Sequence, residues 1–349
     1  MKFGHADIYV IVIFYIIGFC HPPCEQNLSP EKQVLYMESQ IQRGLEISKL
    51  SLGAVQLGLD YGINNKSGKP TRETSGKILR TACEGGITVV DTASGYGDSE
   101  KVVGDFFNEY EGKKPTIVTK FKIMLDTSKT APIEDVEKIL RSQVENSLKT
   151  LHLNKLPLLM FHRESEMFDY GDVLPNALKK LKSEGLVERV GVSLNSCRYV
   201  PDVLKNDLYE AVQIPLNMFD TKSVLNGGLD KLKEADIIVF IRSVFLQGLF
   251  FRDPESLPEG ILQKAKEPLK KLRMLAEEEN QSIAQIALTF IRDLEGVTSL
   301  VLGSETPDQV KENLQLASAE GISDRAKDKI FEIFNDIDEH ILMPWTWNG

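Results

Sequence analysis

The sequence predicts an α/β fold for residues 37–349, a single-domain (β/α)8 TIM barrel, on three observations. From Leu50 onward, short β-rich runs alternate with amphipathic helical stretches, the arrangement that builds parallel sheets from βα units. Eight such runs can be counted, and eight strands suit closure into a barrel. No G-x-G-x-x-G follows the first run, which disfavours the doubly wound sheet with a dinucleotide-binding turn.

In chain order, residues 1–36 stand apart. Residues 9–20 are almost wholly apolar, follow Lys2 and lead into His21-Pro22-Pro23-Cys24. The run is short of the ~20 apolar residues a spanning helix needs but suits the core of a signal peptide. Two expectations follow. Residues 1–36 are either a leader, making the protein secreted or membrane-associated, or an extension outside the functional protein, which then starts at Met37 and is cytoplasmic.

The strand candidates are residues 50–55, 88–91, 116–120, 156–162, 190–193, 211–215, 237–243 and 299–302. Between them lie helix candidates 72–84, 133–151 and 173–184, whose apolar residues recur at three and four places; in the second the stripe is Val136, Ile139, Leu140, Val144, Leu148 and Leu151. Two helices, 267–279 and 283–293, precede the eighth strand. A final helix, 324–337, leads to the tail. Residues 40–52 read as a segment running directly into the first strand.

Composition narrows the function. A net charge of -10 without a Lys/Arg run argues against a nucleic-acid partner, so a small molecule is expected. Four cysteines make neither a disulfide framework nor a zinc site: Cys20 and Cys24 lack a second pair, and Cys83 and Cys197 read as reduced packing residues. A metal hydrolase would need several His or carboxylate ligands at strand ends, and of five histidines only His162 is so placed, so no metal is expected.

Active sites on this barrel lie at the C-terminal ends of the strands. Three runs end in ionisable groups: Thr88-Val89-Val90 in Asp91, Ile117-Val118-Thr119 in Lys120, and residues 158–161 in His162. Neighbouring strands lie about 4.8 Å apart, so these groups can converge, with Asp91 and Lys120 as a natural ion pair. Tyr96 follows in Asp-Thr-Ala-Ser-Gly-Tyr-Gly, where Gly95 and Gly97 permit a tight path over the mouth. Taken singly, each residue is as readily structural, as an ion pair, a packed ring or a core histidine. The four together point to a site.

Asp91-Thr92-Ala93 with Tyr96-Gly97, then Val118-Thr119-Lys120, then His162-Arg163, resembles the aldo-keto reductases, in that family's order and over residues 46–317. The resemblance implies NAD(P)H-dependent reduction of an aldehyde or ketone, sugar-derived in some cases, to an alcohol. Tyr96 would protonate the carbonyl oxygen. An unperturbed phenol has a pKa near 10 and gives up its proton sluggishly unless a cation steadies the phenolate. Lys120 would be that cation, Asp91 would hold it, and His162 would hydrogen-bond the carbonyl oxygen.

The resemblance also implies a cofactor, NADP or NAD, across the mouth. Ser193 and Gln213 would bind its carboxamide, although the family's Asn after that Ser is Leu194 here, with Asn195 as a substitute. The motif starting at Arg242, with Ser243 and Phe245, matches one that often opens on a Tyr stacked on the nicotinamide. A planar guanidinium can stack, at the cost of a second positive charge beside the oxidised ring. Gly303, Gln309, Glu312 and Asn313 match the adenosine-binding pattern, with Glu305 a cofactor-site position that departs from it, on a helix that Thr306 caps and Pro307 opens, with Gln309 completing a capping box. Glu305 and Asp308 put negative charge where a 2′-phosphate would lie, so NAD is expected to serve at least as well as NADP.

Two alternatives share these residues: a nicotinamide-binding auxiliary or sensor subunit without turnover, and an NAD-dependent sugar or alcohol dehydrogenase. Residues 121–131, residues 245–262 and Trp345-Thr346-Trp347 are expected to shape the substrate pocket.

Overall fold

The structure is a computed structural model that describes residues 37–61, 68–123 and 133–347. Residues 1–36, including Cys20 and Cys24, lie outside the described residues, as does most of the expected pocket segment 121–131. No described helix is long and apolar enough to cross a membrane.

The barrel is closed by eight parallel strands: β3 (Leu50–Gly53), β4 (Val89–Asp91), β5 (Thr116–Phe121), β6 (Leu156–Phe161), β7 (Val187–Ser193), β8 (Tyr209–Pro215), β9 (Ile238–Arg242) and β10 (Ser299–Gly303), with β10 pairing back onto β3. The eight expected runs are these eight strands, with ends moved by a few residues. The first stops at Gly53 instead of residue 55 because Ala54 donates its N–H to Asp91 O, at 2.8 Å, and Val55–Gly58 turns into one helical turn.

Around the barrel run α1 (Arg72–Glu84), α2 (Ser99–Glu109), α3 (Ile133–Leu151), α4 (Val173–Ser183), α5 (Gly228–Glu234), α6 (Lys266–Glu279), α7 (Ile283–Arg292), α8 (Pro307–Ser318) and α9 (Asp324–Ile333). The α3 stripe behaves as its spacing requires: Val136, Leu140, Val144, Leu148 and Leu151 are buried and Ile139 is partly buried against the same core. The last helix ends at Ile333, short of the expected 337, because Phe334 leaves helical geometry at φ -113°, ψ 19°.

The sequence reading misses a hairpin. β1 (Ser39–Gln42) and β2 (Leu45–Ser48) pair antiparallel about Arg43 and Gly44, both at positive φ (47° and 74°). Leu45 and Ile47 of β2 pack with Val89, Val118, Leu158, Ile238 and Phe240 in a core of their own inside the barrel. The larger core lies between strands and helices.

These two cores fix where the polar side chains point. Successive strand residues face opposite sides of a sheet. In β5, Val118 joins the inner core while Ile117 and Phe121 join the outer one. Lys120 shares the parity of Val118 and faces inward. By the same count Asp91 follows Val89 inward, His162 follows Met160, Gln213 follows Ala211, and Arg242 follows Phe240. Five polar residues from five strands therefore crown one apolar column.

Candidate active site

The Lys120 ammonium, 1% exposed, donates to both oxygens of Asp91 at 2.7 Å and to Thr92 O at 3.0 Å. Gln213 Nε2 donates to Asp91 Oδ1 at 2.8 Å. Burial pulls the Lys120 pKa down, but the Asp91 carboxylate and the Tyr96 phenol outweigh it, and the ammonium titrates above its ordinary value. The same ammonium lies 5.0 Å from the centroid of the Tyr96 ring.

Tyr96 reaches the cluster because its loop lies against the start of the chain's first βα turn. Tyr96 N–H donates to Ala93 O and Tyr96 O accepts from Ser99 N–H, each at 3.0 Å. Gly58 and Gly97 touch through their backbones, and a Cβ on either would collide with the other's loop; Gly97 also holds φ at 57°. The Ser99 hydroxyl ties the two together, donating to Ala54 O at 2.7 Å.

The His162 ring meets Tyr96 edge-on, with centroids 5.4 Å apart and planes at 78°. Burial, then the positive charges of Lys120, Arg242, Lys122 and Arg163, push its pKa down to about 3. The imidazole is therefore neutral near pH 7 and offers one N–H. The structure thus gathers all four expected catalytic residues at one point of the mouth.

Beside them opens a cavity of about 370 Å³, lined among others by Tyr61, Asp91, Tyr96, Gln213, Arg242, Ser243, Phe245, Gly303, Glu305, Gln309, Glu312 and Asn313. This is a ligand-sized volume. Ser193 closes β7 on the inner side and is buried, whereas Leu194 takes the outer side and joins the core. Asn195 is engaged at both ends, donating to Glu164 Oε1 at 3.1 Å and accepting from Arg242 Nη2 at 3.1 Å. Arg242 Nη2 also donates to Leu194 O at 3.2 Å. The residues after Leu194 thus fix the guanidinium on the cavity wall.

After β9 the backbone is bent hard: Ser243, Leu246, Gln247 and Gly248 all have positive φ (63°, 47°, 52° and 90°). This path presents Ser243, Val244, Phe245, Gln247 and Gly248 to the cavity. Thr306 caps α8 by accepting Gln309 N–H at 3.2 Å. The Gln309 side chain departs from the expected capping box: Oε1 accepts the N–H of Glu305 at 2.6 Å, one residue further back. Asn313 donates to Ser304 Oγ at 3.2 Å, and Asp308 is paired with Lys311 at 2.8 Å.

A dinucleotide fits this groove on two observations. Gln56 Oε1 is buried on the cavity wall without a hydrogen-bond partner among the described residues, and Gly303, lacking a Cβ that would collide with the Gln56 amide, lets that amide lie against the wall. The groove runs from Tyr96 to the N-terminus of α8, long enough to lay an extended ligand along the mouth.

Sequence reasoning passed over Glu166, Glu100, Tyr61 and Gln56. Glu166 and Glu100 are buried, and burial raises both pKa values. Glu100 Oε1 accepts from Thr119 Oγ1 at 2.6 Å, behind Lys120. Of the aromatic tail, Trp347 Nε1 donates to Ile341 O at 3.2 Å, packing the terminus, while the Trp345 side chain lies outside the described residues. Cys83 and Cys197 are free thiols, with Cys197 buried.

Comparison with known proteins agrees with this geometry. The sequence model of the Aldo/keto reductase family matches residues 49–333. An uncharacterized oxidoreductase, YqkF of Bacillus subtilis, is 26% identical over 293 residues, covering 80% of this chain and 90% of that protein. The NADH-specific methylglyoxal reductase of Escherichia coli is 22% identical over 296 residues, covering 77% and 90%. The holo form of the aldo-keto reductase AKR11C1 from Bacillus halodurans superimposes with a TM-score of 0.68 at 21% identity, over 85% of this chain and 96% of that one. With the closed eight-stranded barrel and a family match over most of its length, the chain belongs to the aldo/keto reductase family.

Proposed function

We propose that this oxidoreductase reduces an aldehyde or ketone to an alcohol, with Tyr96 as the proton donor. The observation that carries the reading is the Lys120 ammonium, clamped by Asp91 at 2.7 Å and held 5.0 Å from the Tyr96 ring, at the end of a cofactor-sized groove. A bound reduced nicotinamide supplies the hydride. As the carbonyl oxygen gathers charge, Tyr96 gives it a proton and the neutral His162 donates a hydrogen bond to it. Lys120 then offsets the charge left on the phenolate, and Asp91 keeps the ammonium in place. Ser193, Gln213, Arg242, Ser243 and Phe245 would hold the nicotinamide half, and Gly303, Glu305, Gln309, Glu312 and Asn313 the adenosine half. Residues 37–349 form the catalytic unit in this reading, since Met37 is 2% exposed and its N–H bonds Gly85 O.

The test is turnover. The full chain should oxidise NADH or NADPH with some member of an aldehyde panel, and Tyr96→Phe should lower kcat by roughly 10²–10⁴-fold while cofactor Kd stays within about twofold. Cofactor binding without turnover across the panel would leave a nicotinamide-binding auxiliary protein instead.

For the cofactor, NADH is proposed to serve at least as well as NADPH. Glu305 and Asp308 place carboxylates at the N-terminus of α8, where a 2′-phosphate would meet like charge; Lys311 offsets Asp308 in part. The relative named as NADH-specific points the same way. KM titrations with both cofactors decide, and a strong NADPH preference would sink the idea.

A further inference from the structure

We propose that Glu166 is a positioning residue for His162: its buried carboxylate takes over where the β5–β6 ladder ends and fixes the backbone that carries the imidazole. The proposal rests on the functional reading above, in which His162 acts on the carbonyl oxygen.

The last paired residues of β5 and β6 are Phe121 and Phe161, and one further bond, His162 N–H to Phe121 O at 2.9 Å, closes the ladder. Beyond it, parallel strands at a barrel mouth diverge, and the next N–H groups lose their partners. Here they find one. Glu166 Oε1 accepts from Ile123 N–H at 2.7 Å; Oε2 accepts from Arg163 N–H at 3.2 Å and shares the His162 N–H, at 3.1 Å, with Phe121 O. One carboxylate thus joins the strand end past Lys120 to the residue past Phe161.

The short turn Glu164–Met167 makes this possible by folding the chain back, so that residue 166 faces residue 162; Phe168 and Asp169 N–H both bond Ser165 O, at 2.9 Å. Glu166 is 1% exposed, and among the described residues the hydrogen bonds to its carboxylate come from backbone N–H groups. Burying an ionisable group is costly, and water could satisfy the same N–H groups at a mouth more cheaply. What the carboxylate adds is a fixed geometry for three backbone donors just past the ends of two neighbouring strands, one of them on His162. The ring of His162 must stay within hydrogen-bond reach of the oxygen that Tyr96 protonates, and displacement by about 1 Å is enough to cost rate.

The experiment is a double-mutant cycle on the full chain, measured as kcat/KM for an aldehyde that the wild type reduces, with cofactor Kd and Tm alongside. Glu166→Ala should lower kcat by roughly tenfold to a hundredfold with cofactor Kd nearly unchanged. Glu166→Gln, which keeps one oxygen able to accept, should recover part of that loss. In a His162→Gln background the same Glu166 changes should cost less than about twofold, because the group they position is gone. Equal losses in both backgrounds would overturn the proposal and leave Glu166 as a stabiliser of the fold. If Glu166→Ala does not fold, Glu166→Gln carries the cycle alone. A wild type that turns over no carbonyl compound would overturn the functional reading and this proposal together, whereas turnover with an additive cycle overturns this one only.

Discussion

On the β4–β5 side of the mouth the polar groups are buried charges that neutralise one another. On the β7–β10 side they are held by backbone bent out of ordinary conformations. Asp91 and Lys120 neutralise each other, and the neutral Gln213 reaches in from β8 to donate to the same carboxylate. Across the mouth, Ser243, Leu246 and Gln247 sit at positive φ, each at a cost of order 1–3 kcal/mol. The first construction fixes where protons are; the second shapes a surface for a long ligand. The lesson is that catalytic precision here comes from electrostatic closure, and cofactor shape from the path of the chain.

Breaking the first side should have the largest effect. Lys120→Met leaves Asp91 buried without its cation, which should destabilise the protein by about 3–5 kcal/mol, while Asp91→Leu with Lys120→Met should regain most of it. Urea unfolding of both variants checks this; equal losses would mean that the pair is not the source of stability.

The pH response sharpens the same comparison. The His162 pKa of about 3 lies below the ordinary 6.5, so the folded state resists protonation of the imidazole. Stability from this group is present above pH 6.5 and is lost as pH falls toward 3. Turnover should therefore show no step attributable to His162 between about pH 8 and about pH 5. A kcat titration near pH 6.5 that vanishes in His162→Gln would place the imidazole in a far wetter setting than the structure gives it.

The smallest effect belongs to the strained side. Gln247→Gly removes the Cβ penalty at φ 52° and should raise unfolding stability by up to about 1 kcal/mol while weakening cofactor binding. A loss of stability would mean that Gln247 contacts outweigh its backbone cost.

How much of this was legible in the sequence divides along the same line. Short apolar runs at 88–90, 117–119 and 158–161 each end in an ionisable residue, so Asp91, Lys120 and His162 could be placed at the barrel mouth before any coordinates. The Arg242–Asn195–Glu164 chain could not, because it joins a strand end, a loop and a short turn that no spacing links. Positive φ at Ser243, Leu246 and Gln247 carries no residue-type marker, unlike the glycines that announce turns. The β1–β2 hairpin was missed because β1, Ser39–Gln42, is polar and mostly exposed, so no apolar pattern marks it as a strand. Glu166 had one faint signal: an acidic residue four places after a strand-end histidine, on a turn short enough to fold back.

That hairpin has a consequence for traffic. Arg43 is anchored to the carbonyls of Asp236 and Ala235, Arg189 donates to Arg43 O at 2.9 Å, and Leu45 and Ile47 cork the barrel's N-terminal end. The apolar column already fills the interior, so the hairpin seals the floor beneath it and leaves the opposite rim, where the polar groups stand, as the face on which this barrel meets small molecules.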